Sequence, residues 1–150
     1  MQDKTFDGVA DTLYIPLAAR IYVSKRFPEF FFDPKSLELE AAIPGNSIQR
    51  GSNEYTMIAS AARYHNLDQM ARTYVAARPA CNIISVGCGL ETMFWRVGPD
   101  APDARFYEMD LSEVIDVRRR ILKGKVNLYS KIAMAVADRT NRAFILHMKL

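Results

Sequence analysis

The stretch Asn82-Ile83-Ile84-Ser85-Val86-Gly87-Cys88-Gly89-Leu90-Glu91 opens on a short β-branched apolar run and turns at once into a glycine pair. A run of that length bounded by glycine has the pattern of a buried parallel strand that ends in a sharp turn. Glycine there lets the backbone bend and lets a ligand approach without a Cβ in the way. Ligands of open α/β sheets bind outside the carboxyl edge of the strands, so residues 86–91 are the first place to look for a site.

Downstream, the pattern predicts a helix over Glu91 to Val97, a turn from Pro99 to Asp103, and a second strand from Ala104 to Met109. A helix from Leu111 to Leu122 follows, with Val114, Val117, Ile121 and Leu122 inward and Asp116 and Arg120 one turn apart on its outer face. Strand, helix, strand, helix implies a right-handed parallel crossover and an α/β fold. Beyond it the pattern weakens. Residues 125–137 read as one more helix and Phe144 to Leu150 as one more strand.

Upstream, the chain reads as helical. Val9, Leu13, Leu17 and Ile21 recur every four residues, with a kink or restart expected at Pro16. Asp33 followed by Pro34 reads as the N-cap and first residue of a helix to about Ile43, stopped by Pro44-Gly45-Asn46. Residues 54–64 are Ala-rich and helical, and Asn66 with Gln69 resembles a capping box for a separate helix to about Ala77. The expected organisation is therefore a helical cap over 1–80, a half-sheet unit over 81–122, and a basic segment over 123–150.

Composition bounds the rest. The 150 residues suit one domain, and 49% hydrophobic with 25% charged residues is an ordinary globular balance. No stretch approaches the length of a membrane-spanning helix, and residues 1–12 lack the apolar core of a secretory signal, so the expectation is a soluble, cytoplasmic protein. Two cysteines are too few for a disulfide framework, and two histidines give no metal-ligand spacing, so no metal is expected. The net charge of +3 hides an asymmetry: residues 1–116 carry −5 and residues 117–150 carry +8.

Asp110 closes the predicted second strand, 23 residues after Gly87. A ribose-binding acid belongs at about that distance, and a carboxylate can accept from both ribose hydroxyls. A dinucleotide would want a third glycine where Thr92 stands, and Glu91 would repel its pyrophosphate. S-adenosylmethionine has a ribose and a cationic sulfonium but no phosphate, and it tolerates this arrangement better.

Three segments together resemble the leucine carboxyl methyltransferase family. They are Gly8-Val9-Ala10-Asp11-Thr12-Leu13-Tyr14-Ile15-Pro16-Leu17-Ala18-Ala19-Arg20, Val86-Gly87-Cys88-Gly89-Leu90-Glu91-Thr92-Met93-Phe94-Trp95-Arg96, and Phe106-Tyr107-Glu108-Met109-Asp110. The resemblance covers roughly residues 8–122. It implies a partial class I methyltransferase Rossmann-like parallel sheet with an N-terminal helical cap, and S-adenosylmethionine as cofactor. Carried over, Gly87 and Gly89 line the methionine and ribose side, and Asp110 binds the ribose. Arg63 stands where the family has an arginine for the cofactor's carboxylate, which a guanidinium grips with two parallel hydrogen bonds. The family includes enzymes acting on small molecules and enzymes that esterify a protein C-terminal leucine; the segments look nearer the small-molecule branch.

The resemblance implies a base for acceptors that need deprotonation but places none on this chain, and the residues offer no nucleophile triad. Glu91 is open between cofactor contact and helix cap, Cys88 reads as a small buried filler, and Phe30-Phe31-Phe32 and Trp95 read as core. His65 reads as a solvated or capping side chain beside a turn. Past Leu122 the resemblance fades where the charge breaks, which predicts a truncated or altered-end relative with weak cofactor binding and little turnover. A first strand without its outer neighbour would leave a sheet edge open to association. The rivals are a non-catalytic partner of another chain and a nucleic-acid-binding tail of Arg118-Arg119-Arg120, Lys123, Lys125, Lys131, Arg139 and Arg142, the latter weakened by the lack of interleaved aromatics.

Overall fold

The stripe of Leu13, Leu17 and Ile21 does form one face of a helix, α1 (Asp7–Arg26), and Leu17 and Ile21 are buried. The computed structural model describes residues 7–43, 53–122 and 132–137. Pro16 neither breaks nor restarts α1, which runs through it. Asp33 caps α2 (Pro34–Glu38) by accepting from the Ser36 amide at 3.0 Å, with Pro34 in the first turn where its missing N–H costs nothing. The helix expected to reach Ile43 ends sooner and continues as a 3-10 turn over Glu40–Ala42.

The two helices expected between residues 54 and 77 are one, α3 (Glu54–Ala77). Its N-cap is Asn53, whose side chain accepts from the Thr56 amide at 2.9 Å. Asn66 lies mid-helix and exposed, so the capping-box spacing there was accidental. Long α-helices tolerate a single Asn at a cost of well under 1 kcal/mol, and the packing of α3 against α1 outweighs it.

The α/β unit follows as β1 (Asn82–Val86), α4 (Met93–Val97), a 3-10 turn over Gly98–Asp100, β2 (Arg105–Leu111), α5 (Ser112–Ile121) and β3 (Ile132–Ala137). The strands are parallel in the order β1-β2-β3, with Ile83 opposite Phe106 and Val86 opposite Met109. β3 corrects the helix expected over 125–137: Phe106 to Leu111 pairs with Ile132 to Ala137. Ile132-Ala133-Met134-Ala135-Val136-Ala137 is apolar without interruption, and periodicity alone does not separate a buried strand from a buried helix turn in such a run. The strand expected at Phe144 to Leu150 lies outside the described residues.

Two apolar clusters explain how these parts hold together. Tyr14, Leu17, Ile21, Leu39 and Ile43 from the first helices pack with Leu90 and Leu122, so the glycine loop and the end of α5 rest on α1. Val75 at the end of α3 packs with Cys81, Met93, Val97, Ala104 and Phe106, and Ile83 joins them. Ile83 and Phe106 therefore share the covered face of the sheet. Ile84 and Val86, on the opposite face, are 56% and 78% exposed.

Candidate cofactor site

Residues 86–92 form a tight loop at the carboxyl end of β1. Gly87 and Cys88 donate their amides to the Met109 carbonyl at 2.8 and 3.1 Å, tying the loop to β2. Gly87 and Gly89 have φ of +66° and +50°, the left-handed region that L side chains avoid. The two glycines differ in surroundings. A Cβ on Gly87 would meet nothing within 4 Å, whereas one on Gly89 would press on Leu13 at 3.3 Å. Gly87 thus faces open space, and Gly89 lets α1 close under the loop.

Asp110, at the end of β2, accepts the Gly89 amide at 2.7 Å on one carboxylate oxygen and the Leu111 amide at 2.8 Å on the other. Each oxygen keeps a lone pair, so the carboxylate is oriented by the protein and still able to accept from two hydroxyls. Gly87, Gly89 and Asp110 are brought together as the spacing implies.

Two buried arginines hold the next two carbonyls of the loop. Arg118 donates to Gly89 O at 3.1 Å and Arg20 donates to Leu90 O at 2.5 Å. Arg118 is anchored on Glu108 through two contacts, its Nε at 2.8 Å and its Nη2 on the other oxygen. Arg20 is anchored on Asp33 at 3.1 Å. Burial pushes the Glu108 carboxyl up, and Arg118 offsets that only in part. Because Arg118 is buried and paired, and Arg119 lies 3.5 Å from Asp116, the basic run expected to begin at Arg118 loses its first member and shares its second.

Beneath the loop lies an ionic network. Arg96 Nη1 donates to Asp33 at 2.8 Å, Nη2 to Glu91 at 2.8 Å, and Arg96 also grips Asp68 with both Nε and Nη2, at 2.6 and 2.9 Å. Thr92 Oγ donates to Asp33 as well. Burial would raise the Asp33 carboxyl, but Arg96, Arg20 and the Ser36 and Thr92 hydroxyls outweigh it and hold the pKa below the ordinary value. Among the described residues no buried side-chain nitrogen or oxygen lacks a partner. Glu91 is thereby engaged by Arg96 and by the Thr92 amide at 2.7 Å.

Arg63 is exposed on α3 and makes no hydrogen bond or ion pair with another described residue. Its neighbour Tyr64 lies under Arg20, 4.5 Å from the guanidinium to the ring centroid, and Arg20 touches the loop at Leu90. The Arg63 turn of α3 is therefore one side chain away from the loop. Cys88 is buried and its thiol is pushed up to about 12 by burial, which fits the small filler expected. Trp95 packs on the first cluster, and Phe31 is buried. Phe30 and Phe32 are not core: they are 41% and 54% exposed. His65 is mid-helix, not beside a turn, and stacks on Phe30 at 5.3 Å.

The sequence profile described as leucine carboxyl methyltransferase matches residues 12–142. The chain belongs to the leucine carboxyl methyltransferase family. The match spans most of the chain and runs past Leu122, so the charge break is not where family likeness ends, and β3 falls inside the matched range. Leucine carboxyl methyltransferases are S-adenosylmethionine-dependent, and the α/β unit with a parallel sheet is the corresponding fold. No curated protein matches the chain. Among the described residues no helix is long and apolar enough to cross a membrane.

The sequence reading missed the network of Arg20, Asp33, Asp68 and Arg96 and the Arg118–Glu108 pair. A signal was present. Arg20 stands three residues after Leu17, and Arg118 four after Val114, so both occupy positions that the helical period assigns to the buried face. A charge at a core position needs a partner, and each has one.

Proposed function

We propose that the chain binds S-adenosylmethionine at the Gly87–Glu91 loop and transfers its methyl group to an oxygen of a small molecule, a hydroxyl or a carboxylate. The observation that carries this reading is the Gly89–Asp110 hydrogen bond, which sets the carboxylate beside the left-handed glycine turn with a free lone pair on each oxygen. When bound, the cofactor supplies an electrophilic methyl on a sulfonium. Asp110 would hold the ribose, the open side of Gly87 would admit the ligand's body, and Arg63 would pair with the methionine carboxylate. Thr92, standing where a dinucleotide loop would need a third glycine, argues against a pyrophosphate ligand in the same place.

The rate of such a transfer comes chiefly from holding the acceptor oxygen in line with the methyl. A carboxylate acceptor needs no base at neutral pH, and a hydroxyl acceptor is helped by one. The test supplies labelled methyl donor with two acceptor panels: small hydroxylated and carboxylated compounds, and peptides ending in a leucine carboxylate. Label on the small compounds supports the proposal. Label on the peptides alone overturns the acceptor class, and label on neither overturns methyl transfer.

A further inference from the structure

The backbone of Gly89 is gripped on both sides. Its N–H donates to Asp110 at 2.7 Å, and its carbonyl accepts from Arg118 Nη1 at 3.1 Å. A glycine at φ +50° has no side chain to fix its turn, so these two bonds set where its amide points. Both grips lead back to one strand. Glu108 and Asp110 stand two residues apart on β2 and so share a face of the sheet. Arg118, on α5, holds both oxygens of Glu108 with Nε and Nη2, and its Nη1 reaches on to the Gly89 carbonyl. The contacts Glu108–Arg118–Gly89–Asp110 therefore close into a ring through the β2 backbone. Arg118 and Glu108 are the buried side of that ring, and the half-buried Asp110 is its open side.

We infer that Arg118 is a positioning residue for the ribose: through the Gly89 carbonyl it keeps the Gly89 amide on Asp110, and so fixes the direction in which that carboxylate presents its remaining lone pairs. The inference rests on the S-adenosylmethionine site proposed above. Arg118 is fully buried and acts only through the backbone of the loop. A pair that merely tied α5 to β2 would be complete with the two contacts to Glu108. The third, to the loop, is what links the pair to the site. It also explains the residue type. Three N–H groups in one planar fork match two carboxylate oxygens and a neighbouring carbonyl, an arrangement that the point charge of a lysine does not reproduce.

Arg118→Ala would leave Glu108 buried and uncompensated, so it would report on folding rather than on positioning. Two other variants separate the two. Arg118→Lys keeps the charge and loses the fork, and the double variant Glu108→Leu/Arg118→Met replaces the whole pair with apolar groups of similar size. Circular dichroism checks that each is folded, and either one alone carries the test. In the unliganded protein, hydrogen exchange at the Gly89 amide should quicken by roughly tenfold or more, while exchange at Gly87, whose amide is bound to the Met109 carbonyl, stays the same. Titrations then compare S-adenosylhomocysteine with its analogue lacking both ribose hydroxyls. The wild type should prefer the parent by about a hundredfold or more, and the variants should narrow that preference by at least roughly tenfold. A merely structural role would weaken both ligands alike and leave the ratio unchanged. An unchanged ratio, or Gly89 exchange at the wild-type rate, overturns the inference and leaves the cofactor site standing. A folded wild type that binds no S-adenosylhomocysteine overturns the cofactor site and the inference with it.

Discussion

Asp110 is committed to the protein before any ligand arrives, because it fastens Gly89 and caps the end of β2 with two amide hydrogen bonds. Gly87 and Gly89 carry the strain of the turn in different ways, and substitution should separate them. Gly87→Ala places a methyl in open space, so its cost is the left-handed backbone alone, about 1–2 kcal/mol, read as a fall in thermal midpoint. Gly89→Ala adds the clash with Leu13 to the same strain and should cost more. Arg63 offers the opposite profile. Arg63→Ala should leave the melting temperature unchanged, since the side chain is exposed, and should weaken S-adenosylhomocysteine binding by at least roughly tenfold, since two charge-assisted hydrogen bonds are lost. Equal binding by wild type and Arg63→Ala would remove that residue from the site.

The elements show where sequence carried the argument and where it stopped. β1, β2 and α5 were legible because each has an apolar period ended by glycine or a helix start. Val114 and Val117 are buried where the period puts them. The split of α3 at Asn66 was misread because a capping-box spacing also occurs by chance inside helices. Asn66→Ala should therefore stabilise by a few tenths of a kcal/mol, through helix propensity, whereas Asn53→Ala should cost about 1 kcal/mol as the loss of a true cap. Paired chemical denaturation of the two variants checks both signs. β3 was illegible in isolation, since its strand character comes from pairing with β2 and not from any local period. The glycine loop could be read because glycine spacing is a local signal. The ion pairs beneath it join residues up to 63 positions apart, and one sequence records only that charges sit on buried faces.

On the scale of the whole molecule, the Arg96 and Arg20 network ties α1, α2, α3 and α4 to the glycine loop. Its buried charges stabilise only as a complete set, and removing one partner leaves the others uncompensated. Asp33→Asn should therefore cost about 3–5 kcal/mol and loosen the loop. The pH dependence has a defined sign. Asp33 has a depressed folded pKa, so its contribution is present above the ordinary carboxylate pKa of about 4 and lost as the pH falls through the lower folded value. Glu108, whose pKa is raised, acts in the opposite direction and loses its contribution as the pH rises through its folded value. Melting temperatures measured from pH 7 downward should fall below about pH 4 in the wild type, with the Asp33 share of that fall missing in Asp33→Asn.

The central claim is that the glycine loop and Asp110 form a cofactor site, and calorimetric titration with S-adenosylhomocysteine tests it most directly on wild type and Asp110→Ala. Two hydrogen bonds from ribose to a carboxylate, at about 1.5–3 kcal/mol each, predict saturable binding by the wild type and a loss of at least about a hundredfold in the variant. Binding of equal strength by both proteins, or no binding by a folded wild type, would contradict the account.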